Sequence, residues 1–179
     1  CYISYSWGSE LNNEIICAIK NKIEALSNYK ITVILDKSDF KTGDDIIKKE
    51  EQISESDSVL VFFTPAYKTK VLNKDEERGS YREYKKIKQR LENGDNNIIP
   101  VLLEGEPEES IVEDFKYRIY CNISSIKSKS VKRSGKTVFS SELENAIKKI
   151  SQEVIVKTEI YSLLKERSFS SLEEEYKVL

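Results

Sequence analysis

One short apolar segment restricts the fold of this chain more than any other feature. Residues 58–63 read Ser-Val-Leu-Val-Phe-Phe, and Pro65 follows two positions later. A run of this length, rich in β-branched and aromatic residues, is typical of a strand buried on both faces of a parallel sheet. A helix that carries Glu83 in its first turn is predicted to follow. Because open α/β sheets bind ligands at the carboxyl ends of their strands, the pattern predicts a carboxylate near such an edge.

Strand-like runs alternate with amphipathic stretches through most of the chain. Further strands are predicted at residues 1–5, 31–35, 97–103 and 117–123. Helical spacing of apolar residues predicts helices at 11–26, 46–53, 81–92 and 139–150. Such alternation predicts an α/β domain over residues 1–150, with a parallel sheet and helices on both sides. Residues 151–179 are predicted to be a linker or the start of another module.

Three single residues lead to local predictions. Ser9 precedes the first amphipathic stretch and is predicted to cap its helix. Cys17 lies among apolar residues and is predicted to belong to the core. Pro100 falls inside the fourth strand, and it indicates either a local irregularity or a sheet edge, because proline cannot donate to a strand ladder.

The composition excludes several kinds of chemistry. The 179 residues contain no His, which excludes Ser-His-Asp and Cys-His catalysis and most zinc sites. The 3 cysteines are widely spaced and form neither a disulfide framework nor a Cys-x-x-Cys metal site. Acid–base chemistry would therefore depend on Asp, Glu, Lys, Tyr or Cys.

Charge and hydropathy bound the partners and the location. A net charge of −2 gives no general attraction to nucleic acid or to an anionic membrane. No apolar run approaches the roughly 20 residues that cross a bilayer, so we expect a cytoplasmic domain with no membrane partner. The sequence has no Met and opens on a strand-like run, and we expect it to be part of a longer protein.

Two blocks of like charge follow the fourth strand. Residues 104–114 are rich in Glu and Asp, and residues 127–136 are rich in Lys and Arg. The blocks are either solvated loops or complementary patches that pair between neighbouring copies.

Three polar loops are predicted to meet at the carboxyl edge of the sheet. The first, residues 6–9, leads into a helix whose amino end would favour a phosphate. The second spans residues 36–44, and the third joins residues 64–67 to residues 79–83. Each loop also has a structural interpretation, in which Trp7 covers the core, Asp36 and Asp39 form turns, and Tyr67 packs.

Glu83 is the sharpest candidate for chemistry in these loops. Ile87 and Leu91 follow it at helical spacing, so Glu83 lies on or beside the stripe that faces the sheet. A carboxylate there is costly unless it is solvated, hydrogen-bonded or capping. The alternative is a helix acid that the macrodipole stabilises by under about 1 kcal/mol.

The order of these segments resembles that of bacterial TIR (Toll/interleukin-1 receptor-like) domains, including their SEFIR-like branch. The resemblance extends over residues 1–123. Its segments are Ile3-Ser4-Tyr5-Ser6-Trp7, Val33-Ile34-Leu35-Asp36 with Asp39 and Gly43, Ser56-Asp57-Ser58-Val59-Leu60, and Thr64-Pro65-Ala66-Tyr67. It implies a flavodoxin-like, three-layer fold with a central parallel five-stranded sheet flanked by helices. Residues 36–44 would form the family's BB loop.

The resemblance also implies an activity. Many bacterial TIR domains use one Glu to cleave the bond between nicotinamide and ribose in NAD+. Alignment on Gly79 and Ile87 assigns that role to Glu83, and a shifted register would assign it to Glu76 or Glu77. Arg82 and Ser38 stand where the family often has Tyr and Trp. NAD+ would be a substrate, and no cofactor or metal is implied. The residues expected to contact NAD+ are Ser6, Trp7, Asp36, Asp39, Phe40, Lys41, Thr64 and Tyr67.

Assembly is the last implication of the resemblance. A neighbouring copy commonly completes the active site in this family, so we expect self-association through the BB loop at 36–44. A fused or partnered sensor would hold the copies together, and the cellular role would be anti-phage defence. Two alternatives stay open: a TIR scaffold that self-associates without catalysis, and a nucleoside-processing enzyme of similar fold.

Overall fold

Five short parallel strands form the centre of the molecule. The computed structural model describes residues 1–35, 46–74, 79–133 and 136–176. The strands are β1 (Tyr2–Ser4), β2 (Ile34–Leu35), β3 (Val59–Phe63), β4 (Ile98–Leu102) and β5 (Cys121–Asn122). They pair in the order β2-β1-β3-β4-β5, all parallel. This arrangement confirms the predicted flavodoxin-like α/β fold.

Helices cover both faces of the sheet. They are α1 (Glu10–Leu26), α2 (Ile46–Glu55), α3 (Pro65–Leu72), α4 (Gly79–Glu92), α5 (Pro107–Ser110) and α6 (Ser141–Tyr176). Two strands, β6 (Val131–Arg133) and β7 (Lys136–Val138), pair antiparallel outside the main sheet. The Ser9 side chain accepts a hydrogen bond from the Asn12 backbone N–H at 3.2 Å, which confirms the predicted cap of α1.

Alternation along β1 separates two cores. Ile3 packs into a cluster with the isoleucines of α1 and with α6, whereas Tyr2 packs into a second cluster beneath α3 and α4. Successive strand residues point to opposite faces, so Ser4 shares the face of Tyr2. Burial of each large apolar side chain contributes roughly 1.5–3 kcal/mol. Cys17 is exposed, which corrects the expectation that it belongs to the core.

The chain changes direction across the sheet between β1 and β3. After β1 it passes through α1 to β2 on one side, and after β3 it proceeds to β4 and β5 on the other. Ligands of open α/β sheets bind in the crevice outside the carboxyl ends of the strands at such a switch point. The ends of β1 and β3 therefore mark the place where a site is expected.

Pro100 lies inside the sheet rather than at its edge, because β4 pairs with both β3 and β5. The Leu103 N–H donates to the Phe63 carbonyl of β3, and strand alternation then directs the nitrogen of Pro100 towards β5. The pairing with β5 begins only at Val101. Pro100 therefore lies in the part of β4 that does not pair with β5, and its missing N–H costs the sheet no hydrogen bond.

Helix α6 is longer than the helix predicted at 139–150. It continues to Tyr176, and Val154 is fully buried beyond the proposed boundary. The Thr158 and Ser58 hydroxyls lie 2.8 Å apart at the amino edge of the sheet. The division into residues 1–150 and 151–179 stays a prediction, but the backbone is helical across it. Among the residues described above, no helix has the length and apolarity needed to span a membrane.

Candidate active site

Glu83 is the fifth residue of α4, because the helix begins at Gly79. Its position corrects the expectation of a first-turn carboxylate, and α3 separates this helix from β3. The macrodipole acts mainly on the first turn, so it is not the main source of stabilisation for Glu83. Tyr84 and Ile87 are buried on the same helix, and Glu83 is half-buried.

Two buried hydroxyl groups of β1 donate to the Glu83 carboxylate. The Tyr2 hydroxyl lies 3.0 Å from Oε1, and the Ser4 hydroxyl lies 2.8 Å from Oε2. Both donors belong to fully buried residues on the face of β1 beneath α4. Hydrogen bonds to the ionised form of a carboxyl group favour that form. Neither donor was recognised from the sequence, although Tyr2 and Ser4 are polar residues at alternate positions of a predicted strand.

Tyr67 supports this pair from beneath. Its hydroxyl lies 3.3 Å from the Ser4 Oγ, and its ring packs edge-on against Phe63 with a 5.5 Å centroid separation. Burial raises the pKa of Tyr67 far above its ordinary value, so the phenol stays protonated. The Tyr67 side chain is fully buried. This burial agrees with the structural interpretation in which Tyr67 packs, and the hydroxyl of Tyr67 supports Ser4.

The remaining proposed NAD+ contacts differ in exposure. Thr64 is 3% exposed, and its hydroxyl accepts from the Tyr67 N–H at 3.0 Å, which caps α3. Ser6 is 4% exposed, and its hydroxyl has no hydrogen-bond partner among the described residues. Trp7, next to it, is 55% exposed. Ser6 and Trp7 thus place an unsatisfied hydroxyl and an exposed ring after the end of β1.

Several predicted residues lie outside the described ranges. They are the four BB-loop candidates Asp36, Asp39, Phe40 and Lys41, and the alternative carboxylates Glu76 and Glu77. Their part in the site stays a prediction.

Comparison with known proteins agrees with the fold. A family model described as the TIR domain matches residues 2–133. The chain belongs to the TIR domain family. A crystal structure of a prokaryotic SEFIR domain is 24% identical, with a TM-score of 0.54, and the match covers 86% of this chain and 90% of that one.

A second similar structure comes from an animal. The TIR domain of the Toll-related receptor TRR-2 from Hydra magnipapillata is 16% identical, with a TM-score of 0.44, and the match covers 68% of this chain and 82% of that one. No curated protein matches the chain significantly.

A second polar cluster of this TIR domain was missed from the sequence. The Asn12 Nδ2 donates to Glu104 Oε2 at 2.8 Å, Lys127 Nζ donates to Asn12 Oδ1 at 2.8 Å, and Lys127 Nζ lies 3.4 Å from Glu104 Oε1. These three residues join the segments that follow β1, β4 and β5. A Cβ added at Gly8 would lie 3.0 Å from Asn12 Nδ2, so the glycine leaves room for the cluster.

This cluster bears on the two charge blocks. Glu104 opens the acidic block and Lys127 opens the basic one, and they pair within one chain. The sequence offered a signal, since Glu104 directly follows the fourth predicted strand. The sequence offered no signal that Lys127 and Glu104 lie close together in space.

Other clefts lie away from Glu83. One of about 690 Å³ opens at the amino edge of the sheet, lined among others by Ile31, Gln52, Asp57 and Leu163. Ligands of this fold class bind at the opposite edge, so the cleft does not compete with Glu83 as a candidate site.

Proposed function

We propose that this TIR domain cleaves NAD+ at the bond between nicotinamide and ribose, with Glu83 as the catalytic carboxylate. The observation that carries the proposal is the pair of hydrogen bonds from Tyr2 and Ser4 to the two oxygens of Glu83. They hold a carboxylate on the sheet beside the topological switch point, where this fold class binds ligands.

The reaction suits a site with one carboxylate and no His. The nicotinamide of NAD+ is a cationic leaving group, so it needs no general acid. The C1′–N bond breaks with its electron pair passing to the nicotinamide nitrogen, which leaves as neutral nicotinamide. The ribose becomes oxocarbenium-like, as in glycoside hydrolysis. Capture by water yields ADP-ribose and a proton, and capture by a group of the adenosine yields a cyclic product.

Glu83 would act on the ribose rather than on the leaving group. A carboxylate that accepts hydrogen bonds from ribose hydroxyls makes the ring more electron-rich as positive charge develops on it. Because a carboxylate offers about four lone-pair positions, two hydroxyl donors do not exhaust its capacity. The unsatisfied Ser6 hydroxyl is a further group that a polar substrate would pair.

Assembly belongs to the same proposal. The BB loop at residues 36–44 would contact a neighbouring copy and supply Asp36, Asp39, Phe40 and Lys41 to the substrate. A sensor, fused or separate, would gather the copies, and NAD+ loss or a cyclic product would act against phage infection.

A scaffold without catalysis is the second candidate. One observation favours it: Tyr2 and Ser4 are fully buried, and their hydroxyls need acceptors in the folded domain whether or not it is catalytic. Glu83 would satisfy them without ever meeting a substrate.

Nicotinamide release separates the two functions. The protein is incubated with NAD+ while dilute and again while copies are crowded on a vesicle surface, with Glu83→Gln and the helix-end control Glu92→Gln alongside. We expect release that depends on crowding, falls at least 100-fold in Glu83→Gln and is unchanged in Glu92→Gln.

Other results have equally clear meanings. If the folded, crowded wild type releases no nicotinamide, the result would favour the scaffold. Release that survives Glu83→Gln would move the role to Glu76 or Glu77, which the same substitution then tests. Faster cleavage of a nucleoside than of NAD+ would favour a nucleoside-processing enzyme.

A further inference from the structure

We propose that Tyr2 and Ser4 are positioning residues, which orient the Glu83 carboxylate towards the ribose by holding one of its oxygens each. This inference rests on the proposed function and adds to it the two β1 hydroxyls, which do not themselves touch the substrate.

The first argument concerns geometry. A carboxylate held through one oxygen can rotate about that contact, whereas donors to Oε1 and to Oε2 define its plane. Tyr2 and Ser4 lie two residues apart, roughly 6.6 Å along a strand. Their hydroxyls are 3.0 Å and 2.8 Å from different oxygens of Glu83. The two contacts therefore fix the plane of the carboxylate relative to β1.

The second argument concerns rigidity. Both donors are fully buried, and β1 pairs with β2 on one side and with β3 on the other. The donors therefore cannot follow Glu83 if its side chain moves. Catalytic groups need this support, because a misplacement of about 1 Å can lower a rate about 100-fold.

The third argument concerns the Ser4 hydroxyl itself. A serine hydroxyl has one proton, and Ser4 donates it to Glu83. The Tyr67 hydroxyl, 3.3 Å away, must then donate to the Ser4 Oγ. This second bond fixes the rotation of the serine hydroxyl. The chain Tyr67–Ser4–Glu83 consists of neutral donors, so it orients the carboxylate without neutralising its charge.

The test compares steady-state kinetics of nicotinamide release by crowded protein. In Ser4→Ala and in Tyr2→Phe we expect kcat to fall about tenfold or more with KM changed less than about threefold, because an interaction used mainly in the transition state is lost. Ser4→Thr keeps a hydroxyl at the same position and is expected to recover most of the lost rate.

Two matched controls remove buried hydroxyls that do not contact Glu83. Ser58→Ala removes the bond to Thr158, and Tyr84→Phe removes the bond from α4 to Asp114. Both are expected to keep wild-type kcat. A double-mutant cycle of Ser4→Ala with Glu83→Ala, read from urea unfolding, is expected to show a coupling of about tenfold in the unfolding constant.

The outcomes separate the two proposals. An inactive but folded wild type would overturn the proposed function, and the positioning role with it. An active wild type with Ser4→Ala and Tyr2→Phe as fast as the controls would overturn the positioning role alone. Equal losses in the variants and the controls, or additive energies in the cycle, would also overturn it.

Discussion

Two carboxylates near the carboxyl edge of one sheet are held in different ways. Glu83 accepts from the neutral hydroxyls of Tyr2 and Ser4, whereas Glu104 pairs with the Lys127 ammonium and with Asn12. An ammonium partner brings an opposite charge to a carboxylate, whereas a hydroxyl donor brings none. The ion pair of Glu104 joins loops, whereas the hydroxyl donors of Glu83 suit a carboxylate that stabilises a cation. The surroundings of each group, rather than its residue type, therefore suggest its role.

Activity is expected to show the largest difference between the two carboxylates. In crowded protein, Glu83→Gln should lower nicotinamide release at least 100-fold, whereas Glu104→Gln should stay within about threefold of wild type. A 100-fold loss of rate corresponds to an activation free energy higher by about 2.7 kcal/mol. This is the transition-state stabilisation that the charge of Glu83 is expected to supply. Comparable losses in both variants would contradict the comparison.

Salt dependence is expected to separate the clusters next. Ser4→Ala should lower the free energy of unfolding by about 1–2 kcal/mol at any salt concentration, because its bond is short and buried. Glu104→Gln should cost under about 1 kcal/mol at low salt, and this cost should approach zero at about 1 M salt, because the Glu104 side chain is 44% exposed. Urea unfolding of both variants at two salt concentrations measures this, and a salt-independent cost for Glu104→Gln would count against it.

Alkaline pH is expected to produce the smallest difference, and only in the Glu83 cluster. Burial raises the pKa of Tyr67 in the folded protein above the value of about 10 that it has in the unfolded chain. The contribution of the protonated phenol to the free energy of unfolding is therefore fully present below about pH 10 and is lost as the pH rises. At about pH 11, wild type should have lost roughly 1 kcal/mol more stability than Tyr67→Phe, which has no phenol to ionise. The measurement is urea unfolding at about pH 9 and at about pH 11, with tyrosinate absorbance as the second signal. Equal losses would show that Tyr67 ionises without unfolding.

Much of the fold could be predicted from local patterns. Apolar runs rich in β-branched residues located β2, β3 and β4, and helical spacing located α1 and α4. Ser9 was correctly predicted to cap α1. The pattern failed where neighbours in sequence are not neighbours in space. Cys17 follows two buried isoleucines, but one residue turns a helix by about 100° and carries it to the solvent.

The candidate site was predicted only in part. The family pattern nominated Glu83, but its register in α4 depends on where the helix begins, and Gly79 starts it earlier than Tyr81. Tyr67 was predicted with the loops, yet α3 begins at Pro65 and turns its ring into the core. No local pattern shows which side of a short helix will be buried, because that depends on the surface against which it packs.

The sequence by itself determined the fold class, the order of the strands along the chain, the exclusion of histidine chemistry and the nomination of one carboxylate. The first three follow from local composition and from periodicity, which each segment carries alone, whereas the nomination of Glu83 came from the resemblance to the family's motif. Only the tertiary structure decided that residues 2, 4, 67 and 83 share one hydrogen-bonded cluster and that residues 12, 104 and 127 share another. Pairing of strands far apart in sequence brings those groups together, and a hydrogen bond depends on the positions of both of its partners.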